Sequence, residues 1–208
     1  MSAGTRMSLI QALQTLHSVR RPGDVVISAM GAARDWMALG AHPLDWVFVP
    51  SSMGQATSLG LGIALARPDT RVIVLSGDGG TLMNLGSLIT ITACAPGNLV
   101  ILVFDNGVYE VTGAQPTPAA PAGRSGRDRI GYSGLARACG FPSVFRFGSN
   151  AEWANRIEEV LAAPGPVFGL LEVAPTVGAP GPRSPGPAPE RARRFMAALG
   201  NAPPSQGS

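Results

Sequence analysis

SGDGGTLMNLGSLITITACAPGNLVILVFDNGVYEVT, residues 76–112, places an Asp and an Asn just past the ends of two apolar runs. The first run, residues 72–75, leads into Gly77-Asp78-Gly79. The second, residues 99–104, leads into Asp105-Asn106-Gly107. The separation of 28 positions from Asp78 to Asn106 leaves room for one helix and one strand. In a strand–helix–strand unit the two strands are parallel neighbours, so both polar side chains come to the carboxyl edge of one sheet, where open α/β sheets bind ligands. An Asp and an Asn converging there offer hard oxygen donors. Mg²⁺ takes one or two such protein oxygens and fills its octahedron with phosphate oxygens and water. Gly79 and Gly80 allow close backbone approach, and the following helix turns unpaired N–H groups toward the same point. The pair therefore reads as a metal–diphosphate grip.

Each half has a plainer reading. Gly-Asp-Gly also serves as an ordinary strand-to-helix turn, and Asn106-Gly107 as a hairpin turn. No periodic strand follows the latter, because residues 110–127 are rich in Gly, Pro and Ala. The dinucleotide fingerprint is excluded, since Leu82 stands where its third glycine belongs. With Asp and Asn at this spacing, the chain resembles the thiamine diphosphate (ThDP) enzymes in the domain that binds the cofactor's diphosphate. Its wider pattern resembles the phosphonopyruvate and sulfopyruvate decarboxylases. The stretches concerned are AARDW (32–36), SSMGQATSLGLGIAL (51–65), residues 76–88 and 95–117, and RFMAAL (194–199). Three positions depart from that pattern. Gln55 stands where His is frequent, Ser76 where Asp often precedes Gly77, and Ala114 where Gly is frequent.

The resemblance implies roles for single residues. Asp78, Asn106 and the carbonyl of Val108 would bind Mg²⁺, and Gly77, Gly79 and Gly80 would line the diphosphate. Ser51 and Ser52 would meet the aminopyrimidine, Tyr109 would touch the cofactor, and Met53 would wedge beneath it to hold its bent shape. Arg34 and His42 are the candidates for the substrate's distal anion and for proton transfer. The cofactors implied are ThDP and Mg²⁺. The activity implied is decarboxylation of a small anionic 2-oxo acid, sulfopyruvate or phosphonopyruvate, to an aldehyde. Related readings are a subunit of an acetolactate-type carboligase or of a 2-oxo acid dehydrogenase, or a non-catalytic regulatory subunit.

ThDP chemistry also needs a Glu beside the pyrimidine ring, carried in this class by a second domain of similar size. At 208 residues the chain has room for one such domain. The resemblance thus implies a β-type subunit whose α-type partner brings the pyrimidine site and its Glu. Charged residues make up only 14% of the chain and apolar ones 45%, which suits a hetero-oligomer with covered faces. The net charge of +3 does not argue for nucleic acid, because Arg124, Arg127 and Arg129 lie in a Gly-rich loop without interleaved aromatics. Cys94 and Cys139 are isolated and apolar in setting, which predicts buried thiols in a reducing cytoplasm. No signal peptide or membrane span is expected.

Alternating patterns predict an α/β domain over 1–174: a parallel sheet of about six strands, covered by helices on both faces. Strands are expected at 24–29, 46–49, 71–75, 99–104, 143–147 and 167–173. Helices are expected at 7–18, 33–39, 53–66, 81–93, 130–139 and 150–162. A Pro/Gly linker (175–189), a short helix (190–199) and a disordered tail (200–208) follow. Residues 109–128 lack periodicity and leave directly from the metal ligands, so a lid is expected there.

Overall fold

In a computed structural model of the chain, the described residues are 6–50, 52–120, 131–176 and 178–201. The chain runs through α1 (Leu9–Val19), β1 (Val25–Ser28), α2 (Met30–Ala38), β2 (Asp45–Val47), α3 (Ala56–Ala66) and β3 (Val72–Gly77). Then come α4 (Asp78–Met83), α5 (Ser87–Cys94) and β4 (Leu99–Asp105). A small hairpin follows, with β5 (Val108–Tyr109), a 3₁₀ turn (Glu110–Thr112) and β6 (Gln115–Pro116). The chain ends with α6 (Tyr132–Ala138), β7 (Ser143–Phe147), α7 (Asn150–Ala162), β8 (Val167–Glu172) and α8 (Ala188–Asn201).

Six strands form one parallel sheet in the order β2-β1-β3-β4-β8-β7. Its central strands are apolar except at their carboxyl ends, where Ser28, Ser76, Asp105 and Glu172 stand, because both faces are covered. Val25, Ile27, Val72, Val74, Leu99 and Ile101 face the layer of α3, α5 and α6. Their neighbours Val26, Ile73, Leu75, Val100 and Leu102 face α1, α2 and α7. Side chains alternate along a strand, so one apolar run feeds two cores. In the second core Trp153 is fully buried, and its indole N–H donates to the Ala12 carbonyl at 3.0 Å, joining α7 to α1.

The strand order reverses between β1 and β3, since β2 lies outside β1 and the chain then crosses back. Such a reversal opens a crevice at the carboxyl edge. The β3–β4 register sets Gly77 opposite Phe104, so Asp78 and Asn106 leave neighbouring strands at nearly one level.

Several local expectations change. The helix expected over 81–93 starts at Asp78 and is interrupted between Met83 and Ser87, where Asn84 and Gly86 are weak helix formers. The helix expected from 53 begins at Ala56, because Gly54 at φ 85° ends a turn there. Residues 109–116, expected within the aperiodic stretch 109–128, form with Val108 a hairpin whose two-residue strands are too short to leave a periodic trace. Of the lid expected over 109–128, residues 121–128 lie outside the described residues, as do Arg124, Arg127 and Arg129. Cys94 is exposed at the end of α5 and Cys139 half-buried, rather than both buried. No helix among the described residues is long and apolar enough to cross a membrane.

The helix at the C-terminal end runs from Ala188 to Asn201, and residues 202–208 of the expected tail lie outside the described residues. It packs back on its own chain. Phe195 meets Trp46 with ring centroids 5.5 Å apart. The Arg191 guanidinium lies 4.9 Å from the Trp46 ring centroid and donates to the carbonyls of Val47 and Val49. Edge strands expose unpaired backbone groups, and this arginine occupies two of them beside β2.

Ala114, where the decarboxylase pattern has Gly, adopts φ 59°. A Cβ in this left-handed region costs about 1–2 kcal/mol. Ala114→Gly is therefore expected to raise stability by about 1 kcal/mol, offset in part by chain entropy. Urea denaturation checks it; an unchanged or lower midpoint would contradict the strain.

Candidate functional site

A cleft opens at the carboxyl edge between β1 and β3. Its walls are residues 29–32 after β1, 52–54 and 56 before and at the start of α3, 76–80 and 83 around the start of α4, and 106 and 108–112 after β4. The sequence-predicted Ser52, Met53, Gly77, Asp78, Gly79, Gly80, Asn106, Val108 and Tyr109 all line it. Ser51 lies outside the described residues.

Asp78 is the first residue of α4 and only 1% exposed. Its Oδ2 accepts from the Gly107 N–H and from the Thr117 hydroxyl, both at 3.2 Å. Burial pushes its carboxyl above the usual range, against hydrogen bonds from the Gly79 N–H, the Thr117 hydroxyl and the Gly107 N–H. Among the described residues no cation pairs with it. A buried carboxylate without a counter-charge is costly, and a bound cation removes that cost.

Asn106 stands beside Gly107 and so beside the same carboxylate. Its Oδ1 accepts from the Val108 N–H at 3.0 Å, and its Nδ2 donates to Glu110 Oε2 at 2.9 Å. One carboxylate and one amide oxygen offer hard oxygen donors, which suit Mg²⁺ with phosphate rather than a soft metal.

The glycines are set by close packing. A Cβ on Gly79 would lie 2.6 Å from the Tyr109 ring, and one on Gly54 would lie 2.7 Å from the Gly80 carbonyl oxygen. At Gly77 a Cβ would meet nothing within 4 Å, leaving open space beside the carboxylate. The Asn84 amide donates to the Gly54 carbonyl at 3.0 Å and so pins the turn that carries Met53. Met53 is 43% exposed, an apolar side chain left open at the cleft wall. These features fit a metal-bridged diphosphate with an apolar support beside it.

Two predicted residues are not brought into the cleft. His42 precedes β2 and therefore sits at the amino edge of the parallel sheet, opposite the cleft. Its Nδ1 lies 2.9 Å from Arg20 Nη2 and accepts from the Leu44 N–H at 3.1 Å. Burial and the Arg20 charge push the ring below its ordinary value, so it is held neutral as an acceptor. Arg34 lies behind the cleft wall. It pairs with Asp35 at 2.7 Å and Glu110 at 3.2 Å, so its charge is already engaged, and its Nη2 is buried. Neither residue is offered to a ligand from this chain's cleft.

The sequence reading missed Met30 and Gly31 from the β1–α2 turn, and Glu110 and Thr117 from the hairpin. Met30 adopts φ 53°, a conformation rare for a large side chain and concentrated at functional sites. A signal for this turn existed, since any strand next to β3 contributes its carboxyl end to the same crevice.

A parallel α/β sheet whose switch-point cleft holds a buried carboxylate, without a cationic partner among the described residues, beside an asparagine has the form of a diphosphate-binding domain. Residues 24–169 match the thiamine pyrophosphate enzyme C-terminal TPP binding domain, and the chain belongs to that family. It is 37% identical over 166 residues to the sulfopyruvate decarboxylase subunit beta of Methanothermobacter thermautotrophicus, covering 80% of this chain and 82% of that one. It is 36% identical over 167 residues to the phosphonopyruvate decarboxylase of Streptomyces hygroscopicus, where the match covers 80% of this chain but 39% of the relative. A solved structure described as a thiamin diphosphate-dependent enzyme, from Mycobacterium smegmatis, shares the fold at TM-score 0.66 and 20% identity, over 82% of this chain and 32% of that one.

Proposed function

We propose that this chain is the diphosphate- and Mg²⁺-binding subunit of a two-subunit ThDP-dependent decarboxylase, acting on sulfopyruvate or phosphonopyruvate. The observation that carries the reading is the pair of coverages. The chain corresponds to 82% of a separate beta subunit but to only 39% of a single-chain decarboxylase. The larger unmatched part of the latter leaves room for a pyrimidine-binding half, which here falls to an α-type partner carrying the catalytic Glu.

Asp78, Asn106 and the Val108 carbonyl hold the metal, and the backbone at Gly77–Gly80 receives the diphosphate. Met53 supports the cofactor from its apolar side, and the Tyr109 ring closes the wall over Gly79. When bound, ThDP supplies the electron sink for loss of CO₂. The residues of this chain fix its position and exclude water from one side. Leu65, Met83 and Ile89 are 52%, 47% and 61% exposed on α3, α4 and α5, apolar area available to a partner.

The test is assembly of the chain with its partner subunit, followed by assay of sulfopyruvate, phosphonopyruvate and pyruvate with ThDP and Mg²⁺. Aldehyde formation from one of the first two is expected, with pyruvate slower and no turnover by this chain alone. Ligation products from pyruvate would favour a carboligase instead. Bound ThDP without turnover of any substrate would favour a regulatory subunit.

A further inference from the structure

Glu110 is the one charged side chain among residues 107–120, and its side chain is only 6% exposed. It accepts from donors on three segments: Asn106 Nδ2 at 2.9 Å, the Thr176 N–H at 3.0 Å and Arg34 Nη1 at 3.2 Å. A Cβ on Gly31 would lie 3.2 Å from its Oε1, so the carboxylate packs directly on the first turn of α2.

An asparagine amide has two ends of similar shape, and only the oxygen coordinates a cation. Here two bonds fix the same orientation. The Val108 N–H requires an acceptor on one side, and the Glu110 carboxylate, which offers only oxygens, requires a donor on the other. Turning the amide over would set N–H against N–H and oxygen against oxygen. We infer that Glu110 is a positioning residue that holds the Asn106 amide with its oxygen toward the cation site, anchored for that task by Arg34 and Thr176. The inference rests on the reading of Asp78 and Asn106 as metal ligands and goes beyond it in giving the metal site a second layer.

The bland reading makes Glu110 a staple between α2 and the segment after β8. The two readings separate on glutamine. In Glu110→Gln, one oxygen at the Oε2 position still accepts from Asn106 and Thr176, and only the Arg34 pair is lost. Mn²⁺ binding is titrated in the full chain with excess ThDP, reading free Mn²⁺ by its electron paramagnetic resonance signal against a protein-free blank.

Glu110→Ala is expected to weaken Mn²⁺ binding about tenfold, the low end for partners that orient a metal ligand, because the Val108 bond remains. Glu110→Gln is expected to stay within about threefold of the parent, the scale of a lost partly exposed ion pair. An unchanged Glu110→Ala, or a Glu110→Gln loss equal to it, overturns the inference. If Glu110→Ala folds poorly, the pair Asn106→Asp and Asn106→Asp/Glu110→Gln decides. With oxygens at both ends of residue 106 nothing remains to orient, so the added glutamine should not weaken Mn²⁺ binding further; a further loss overturns the inference. Asp78→Ala is the control. If the parent takes up no Mn²⁺, or Asp78→Ala takes it up as the parent does, the metal reading falls and Glu110 with it. An intact parent, a failed Asp78→Ala and an intact Glu110→Ala remove only the role of Glu110.

Discussion

Asp78→Ala is expected to abolish Mg²⁺-dependent ThDP retention, with affinity falling roughly a hundredfold or more, beyond the 10–100-fold cost of losing a mere orienting partner. The companion Asp78→Asn separates metal binding from fold. Asparagine keeps an oxygen for the Gly107 N–H and the Thr117 hydroxyl, but it removes the buried charge. Among the described residues that charge has no cationic partner, and burial raises its carboxyl above the usual range. In the metal-free chain it is therefore a burden on folding. The melting temperature of metal-free Asp78→Asn should equal or exceed that of the parent, while ThDP retention collapses. Calorimetric titration of Mg²⁺ with ThDP, beside a thermal melt without metal, reads both. Retention at parental affinity in either variant would remove Asp78 from the ligand set. A large fall in the metal-free melting temperature of Asp78→Asn would mean that the carboxylate serves the fold instead.

The legibility of this site in the sequence follows from how much geometry a parallel sheet imposes. Residues 72–75 and 99–104 are apolar without alternation, as strands buried on both faces are, and the residues that end them are fixed to one edge. Asp78 and Asn106 are therefore readable together. His42 is a different matter. It precedes a strand rather than following one, and strand polarity alone assigns it to the far edge. Glu110 and Thr117 were hidden for a physical reason. They lie on a hairpin of two-residue strands, whose register depends on the Gly107 and Asp78 contacts rather than on any repeat in the chain. The interruption after Met83 is similar, because the Asn84 side chain is drawn to the Gly54 carbonyl, a contact 30 residues away in sequence.

At the opposite edge, Asp24→Ala is expected to cost about 3–5 kcal/mol of stability, the scale for breaking a buried ion pair by removing one partner. Asp24 is fully buried at the start of β1. Its two oxygens take Arg71 Nε at 3.0 Å and Nη2 at 2.5 Å, with the Arg21 N–H at 2.9 Å. Arg71 continues to the Leu161 carbonyl at 3.2 Å, so one carboxylate ties the amino ends of β1 and β3 to the end of α7. Without it the guanidinium, 12% exposed, is left with little water and no anion. Domains of this kind hold only about 5–15 kcal/mol in total, so the loss is a large part of what keeps the chain folded. Replacing both partners, Asp24→Leu with Arg71→Met, should recover most of it, since an apolar pair of similar volume carries no desolvation cost. Urea denaturation of the parent, the single variant and the double variant provides the comparison. The contrast with Asp78 is the sharper part of the prediction. The amino edge is separated from the cleft by the length of the strands, so the folded fraction of Asp24→Ala should bind Mg²⁺ and ThDP as the parent does. A single variant within about 1 kcal/mol of the parent, the range of an exposed pair, would show that the Asp24–Arg71 contact does not carry the edge. Lost metal binding in the folded fraction would show that the two edges are not independent.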